Sequence, residues 1–402
     1  MAASPGPRRR AIVAGGLGSV GALGLAASVR ADRAPSARQS APSELTEAQP
    51  VVPALGPRQA GITTTPQTHA MWVGADVRGT RVTRSDAIRL LRVWTEDIVR
   101  LTSGRGGLTD QAPELAAGPH RLTITVALGP GFFASADLAP LRPSWLKHLP
   151  SFEIDRLDDR WKGGDVVLQL CSDSAVTIAH AHRQLMTGAR SLLEPRWIQR
   201  GYREPANPPT WSAGRNLFGQ VDGTVQPALD GTDDDLLWVG DGSWRDGSAL
   251  VLRRIAMNLD TWDALDRDSR EVAIGRRLDS GAPLTGTHEQ DPPDLAATDE
   301  TGLPVIDQAA HMRRAMPRAR HERFLRRPYT YDDEPGPRAV SNQGLLFAAY
   351  CADPLRQFVP VQRRLAELDL LNIWTTPIGS TVAAILPGAR EGEYLGQRVL
   401  EA

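Results

Sequence analysis

Lysine is nearly absent. Of 46 basic residues in a chain of 402, only Lys147 and Lys162 are lysines, and the arginines are spread rather than clustered. With a formal net charge of −1 there is no basic field to hold phosphates, which excludes a nucleic-acid partner from the reading. The arginine skew itself reads as genome composition and carries no functional weight. Cysteine is equally scarce: Cys171 and Cys351 can build neither a disulfide framework nor a four-ligand zinc site, and both read as small buried hydrophobes. A long hydrophobic run is missing too. The nearest candidate, Ala11 to Val29, is too short and too interrupted by glycine for a comfortable membrane span.

That segment has the shape of a signal peptide. Arg8, Arg9 and Arg10 precede the weakly apolar run, and Val29, Arg30 and Ala31 offer a small-residue cleavage site, so residues 1–31 read as a twin-arginine signal. The implied partner is the twin-arginine (Tat) export machinery, and the implied location is periplasmic or extracellular. This route carries folded proteins and suits one that takes up its cofactor in the cytoplasm. Residues 32–60, rich in Ala, Pro, Ser and Gln without apolar periodicity, read as a flexible linker.

The remaining length fits two domains. Met71 to Val77 alternates like a strand, and Ser85 then caps a helix in which Ile88, Leu91, Trp94, Ile98 and Leu101 recur at helical spacing. Strands at Leu122 to Leu128 and Asp165 to Cys171 follow, then a helix over Ala175 to Ala189. The second half repeats the theme: a strand at Leu250 to Met257, a helix capped by Asp260, a strand at Gly344 to Tyr350 and a helix from Pro354 to Leu368. Cys171, Asp173, Arg183 and Leu185 recur at one constant offset as Cys351, Asp353, Arg363 and Leu365. These observations predict an α+β chain of two ferredoxin-like domains with antiparallel sheets, related by duplication. The domains span 61–205 and 212–392, with Pro205, Pro208 and Pro209 at the boundary.

Ferredoxin-like units host many functions, so the site is argued separately. Gly219, Gln220, Val221, Asp222 and Gly223 place an aspartate between glycines that permit a tight turn and close approach to a planar ligand. Of the eight histidines, His311 sits in a basic and apolar setting, beside Met312 and Arg313, that suits an iron ligand. His180 and His182, two apart on a helix, face different ways and make a poor metal pair. Arg326 and Arg327 precede aromatics, and a guanidinium stays charged at any working pH.

Together these residues resemble the dye-decolourising (DyP-type) haem peroxidases, in particular the exported deferrochelatase/peroxidase-like branch. The likeness covers nearly the whole mature chain, from Thr65, Pro66 and Gln67 through G-x-x-D-G at Asp222 and Gly223. It continues through Arg253, Arg254 and Ile255, the Ile274 to Arg277 run, Gly281 to Leu284, and closes with Arg356, Gln357 and Phe358 together with Val361 and Gln362. The resemblance implies haem b in the C-terminal domain, with His311 as the metal ligand and Asp222 and Arg326 as the catalytic pair on the opposite face. Gly219, Gly223, Arg313 and Arg326 join His311 in holding the cofactor. Arg326 is chosen by register, with Arg327 the open alternative. The family often carries an acidic residue two before the histidine; Ala309 stands there, and Asp307 is the nearest carboxylate upstream, which leaves the imidazole's partner open.

The implied activity is oxidation of dyes, phenols or similar small electron donors by hydrogen peroxide, with Asp222 moving the proton and Arg326 offsetting charge. A deferrochelatase that frees iron from haem, with iron-uptake partners, is the alternative. A non-catalytic haem carrier would not need both a distal acid and a distal arginine. A chlorite-degrading haem enzyme would not call for the G-x-x-D-G aspartate. The sequence leaves a homo-oligomer open.

Overall fold

The computed structural model describes residues 50–79, 82–205, 214–337 and 339–402. The expected signal peptide, most of the expected linker, and Pro208 and Pro209 of the expected boundary lie outside them.

In the first half, β1 (His69–Val77), α1 (Arg84–Thr102), β2 (Thr123–Leu128), β3 (Val166–Ser172), α2 (Ala175–Ala189) and β4 (Leu193–Tyr202) form a ferredoxin-like unit. Its antiparallel strands pair in the order β2-β3-β1-β4. The cap of α1 is Thr83 rather than the expected Ser85. The Thr83 hydroxyl accepts the Asp86 N–H while the Asp86 carboxylate accepts the Thr83 N–H, which satisfies two helix-end donors reciprocally. Leu91, Trp94, Ile98 and Leu101 then lie buried against the sheet, as their spacing predicts.

A hairpin of β5 (Gly214–Arg215) and β6 (Val221–Asp222) and a short α3 (Asp234–Leu237) connect the halves. The second half runs through β7 (Ser248–Met257), α4 (Leu259–Asp263), α5 (Arg267–Ile274), α6 (His311–Ala315), β8 (Leu325–Arg326) and β9 (Tyr329–Asp333). It ends with β10 (Asn342–Cys351), α7 (Phe358–Glu367), β11 (Thr375–Ile385) and α8 (Gln397–Leu400). The single helix expected after Asp260 is two helices. Asn258 caps the first, and Asp266 starts the second by accepting the Ser269 N–H. The duplicated aspartates also diverge: Asp353 accepts the N–H groups that open the turn into α7, whereas Asp173 binds Arg121 and Thr68 and leaves the capping of α2 to Ser174.

The two antiparallel sheets join into one. β11 meets β2 through Ala384–Leu128 and Ile385–Ala127, β4 meets β9 through Tyr202–Thr330, and pairing of β7 with β10 closes the sheet. Alternation puts Trp72, Tyr329 and Tyr350 inside and Val73, Val251 and Val382 under the outer layer. The ordered body extends past both ends of the expected ranges. Gln59 is buried and bridges β2 to Leu386, and Leu395, beyond β11, returns to α1 through Thr95.

Candidate active site

The outer face of the C-terminal strands is not filled by helix. α4 and α5 are too short to cover it as α1 covers its own sheet, and a cavity of about 330 Å³ remains between the strands and α7. Its apolar wall includes Ile255 and Met257 of β7, Leu345 and Phe347 of β10, and Val361 and Leu365 of α7.

His311 opens α6 into this cavity. Its Nδ1 is 2.7 Å from an oxygen of Asp369, whose other oxygen accepts the Leu371 N–H, and Asp369 is only 4% exposed. The Leu370 N–H donates to the Ala309 carbonyl and locks the two segments together. Burial opposes a positive charge on His311, but Asp369 outweighs it by charge and hydrogen bond and raises the imidazole's basicity; Asp222 adds to this and Arg326 subtracts. With Nδ1 committed, Nε2 is left for the cavity. Among the described residues no three His, Cys, Asp or Glu side chains gather as a metal cage.

Asp222, on β6, and Arg326, on β8, line the same cavity and approach each other to 3.3 Å. Gln226 holds the Arg326 backbone. Its Oε1 accepts the Arg326 N–H and its Nε2 donates to the Arg326 carbonyl, while the guanidinium also donates to Val225 O. Gly223, at φ 109°, makes the turn out of β6 in a conformation that side chains rarely adopt.

Not every expected residue reaches the site. Arg313 donates to the carbonyls of Leu295 and Ile306 and does not line the cavity. Two residues along a helix is roughly 200° around it, so a cation beside His311 in sequence faces away in space. Gly219 shapes the hairpin turn at φ 78° without lining the cavity. Arg327 is wholly buried, held by Gln67 and Thr64, so of the two neighbours Arg326 is the one that lines the cavity. Asp307 accepts the Ala309 N–H in the turn before α6 instead of meeting His311. The residues that sequence reasoning missed are Asp369 and Gln226, both remote in the chain from their partners.

Two family models divide the chain: Dyp-type peroxidase, N-terminal, matches residues 59–203, and Dyp-type peroxidase, C-terminal, matches 213–390. The dye-decolorizing peroxidase of Thermobifida fusca (strain YX) is 40% identical over 331 residues, 79% of this chain and 76% of that one. A deferrochelatase of Yersinia pestis bv. Antiqua (strain Nepal516) is 32% identical over 98% of this chain and 95% of its own. Among solved structures, a DyP-type peroxidase from Cellulomonas bogoriensis is similar at TM-score 0.85 and 52% identity, covering 88% of this chain and 99% of that one. With both halves matched, the chain belongs to the Dyp-type peroxidase family, as an oxidoreductase whose cofactor is haem.

Proposed function

We propose that this peroxidase holds haem b through His311 and reduces hydrogen peroxide with Asp222 as the proton carrier and Arg326 as the charge stabiliser. The observation that carries this reading is a carboxylate and a guanidinium 3.3 Å apart in the cavity that receives the free nitrogen of His311. The residues fit the group: apolar walls suit a porphyrin face, a basic imidazole suits iron, and no Cys-x-x-Cys-His is present to bind one covalently. What haem supplies when bound is a redox centre that takes two oxidising equivalents from peroxide and passes them to dyes, phenols or similar donors.

The chain handles the protons and the charge. Peroxide must lose a proton from one oxygen and gain one at the other before its O–O bond breaks to release water. A carboxylate at Asp222 can take the first proton and return it within one site. Negative charge grows on the departing oxygen, and Arg326, ionised at all working pH, offsets it from a position fixed by Gln226. Two electrons and two protons per peroxide close the balance at two waters. Stopped-flow mixing of the haem-loaded protein with peroxide tests the pair. Asp222→Asn should slow the first oxidation step by roughly 10²- to 10⁴-fold, and Arg326→Leu by roughly 10²- to 10³-fold. Wild-type rates in both variants, with haem retained, would remove both residues from the mechanism.

A second reading is supported by the near-full-length likeness to a deferrochelatase. Under it the same cavity releases iron and leaves the porphyrin whole; recovery of metal-free porphyrin without added donor decides for it. Export by the twin-arginine route rests on Arg9, Arg10 and the run from Ala11 to Val29. Normal processing of an Arg9→Lys, Arg10→Lys precursor would defeat it.

A further inference from the structure

Buried glutamines away from the haem cavity mostly have both amide ends engaged. Gln59 donates to Val126 O and Leu386 O and accepts the Val126 N–H. Gln67 donates to Arg121 O and accepts from Arg327. Gln169 donates to Gly61 O and accepts from Trp72 and Tyr350. Gln357 donates to Leu236 O and Arg323 O and accepts the Asp353 N–H. Gln199, with an unmet oxygen, departs from this pattern, but it lies outside the cavity lining.

Gln220 departs from it inside the cavity. It is 8% exposed, it lines the wall, and its Nε2 has no hydrogen-bond partner. The backbone of Gln220 is already committed, since its N–H donates to Asn216 Oδ1 and its carbonyl accepts the Asn216 N–H. Gln220 directly precedes β6, and it and Asp222 both line the cavity. A buried donor left unmet costs free energy, so an orphan N–H on a cofactor wall marks where a resident acceptor belongs. Charge identifies the acceptor. Arg276, Arg323 and Arg326 all line this cavity; Arg323 has Asp233 and Arg326 has Asp222. Arg276 donates to the carbonyls of Gly281 and Glu289 and makes no ion pair with a carboxylate among the described residues. Burial makes its charge harder to hold, Glu289 partly compensates, and Arg326 repels it. Arg276 is therefore the cavity cation without a carboxylate partner, and haem carries two carboxylates at its rim.

We propose that Gln220 anchors a haem carboxylate, its Nε2 donating to the carboxylate while Arg276 supplies the opposing charge on the same wall. The proposal rests on haem occupying this cavity and is independent of the roles given to Asp222 and Arg326. The test compares the full-length wild type with Gln220→Leu, which keeps the volume and removes the donor, as apoprotein and loaded with haem b or with haem dimethyl ester. The apoprotein variant should melt at the wild-type temperature or above it, because an unmet buried donor is gone. Loaded with haem b, the variant should release it to apomyoglobin roughly tenfold faster or more. Gln220→Glu, which sets charge against charge, should release it faster still. With the dimethyl ester, whose neutral carbonyls are weaker acceptors than carboxylates, the gap between wild type and Gln220→Leu should shrink.

Equal release of haem b by wild type and Gln220→Leu overturns the proposal. A defect that is as large with the ester as with haem b overturns it as well, because the acceptor is then not a carboxylate. A lower melting temperature in the apoprotein variant would mean that the amide already has a partner inside the protein. If the wild type takes up no haem, the cofactor assignment falls together with this one; if it does and the variant matches it, only this one falls.

Discussion

Two histidine–aspartate pairs of equal length occupy opposite halves of the molecule. His180 Nε2 lies 2.7 Å from Asp110, and His311 Nδ1 lies 2.7 Å from Asp369. In the first pair every remaining group is taken: Arg183 meets the other ring nitrogen at 3.3 Å, and Gln184 and the Ala112 N–H meet the other carboxylate oxygen. Those side chains are 1% and 0% exposed. In the second pair the other ring nitrogen faces a cavity. The dyad is therefore no mark of chemistry by itself; the open nitrogen is. The difference traces to helix length. α1 covers its sheet with one continuous 19-residue helix, whereas the corresponding stretch after β7 breaks into helices of 5 and 8 residues and leaves the strand face uncovered.

Breaking each pair at its histidine should separate the two roles most widely. His311→Ala should abolish the Soret band while the apoprotein still folds, because the lost group faces a cavity. His180→Ala should retain the band and lose stability by about 1 to 3 kcal/mol, the cost of leaving Asp110 partly unmet in the interior. A folded His180→Ala that takes up no haem would end the comparison.

A finer cut spares the histidines and removes one charge. Asp369→Asn keeps an oxygen for the Leu371 N–H but no longer pulls the imidazole toward imidazolate character, so iron affinity or peroxide turnover should fall by roughly ten- to a hundredfold. The resonance Raman iron–histidine stretch should move to lower frequency. Asp110→Asn should leave that frequency where it is, and movement of it in both variants would deny Asp369 a special role.

What the sequence discloses follows from how local each feature is. The repeated Cys–Asp–Arg–Leu pattern lies within one strand–helix unit of each half and the helical spacing lies within α1, and both are legible. G-x-x-D-G is legible as well, since glycine and aspartate in one hairpin do all the shaping. The Asp369 partner is not, because it arrives 58 residues after His311 and is aligned only when the Leu370 N–H meets the Ala309 carbonyl. Arg313 misleads for the converse reason: nearness in sequence to His311 becomes opposition around a helix. The joining of two sheets is equally hidden. It depends on edge pairings such as Tyr202–Thr330, between residues that carry no mark of pairing in either half.

The smallest expected effect is a pH dependence confined to the closed pair. Burial raises the cost of charge on Asp110, but the Ala112 N–H and the His180 ring outweigh it and hold the carboxyl below its ordinary value. A carboxyl depressed in the folded state contributes stability that is fully present above its unfolded value of about 3.9 and is lost as the pH falls through the lower folded value. Asp97, Arg183 and Gln184 share this neighbourhood, and of these only Asp97 is another carboxyl; its own burial pushes it the opposite way. Wild type and Asp110→Asn should therefore differ in denaturant midpoint at about pH 5 and converge as the solution is acidified below about pH 4. The Soret band should be equal in both before acidification. A gap that stays constant down to pH 3 would mean that the contribution of Asp110 does not depend on its charge, and the first pair would then be a neutral hydrogen bond rather than a buried counterpart of the second.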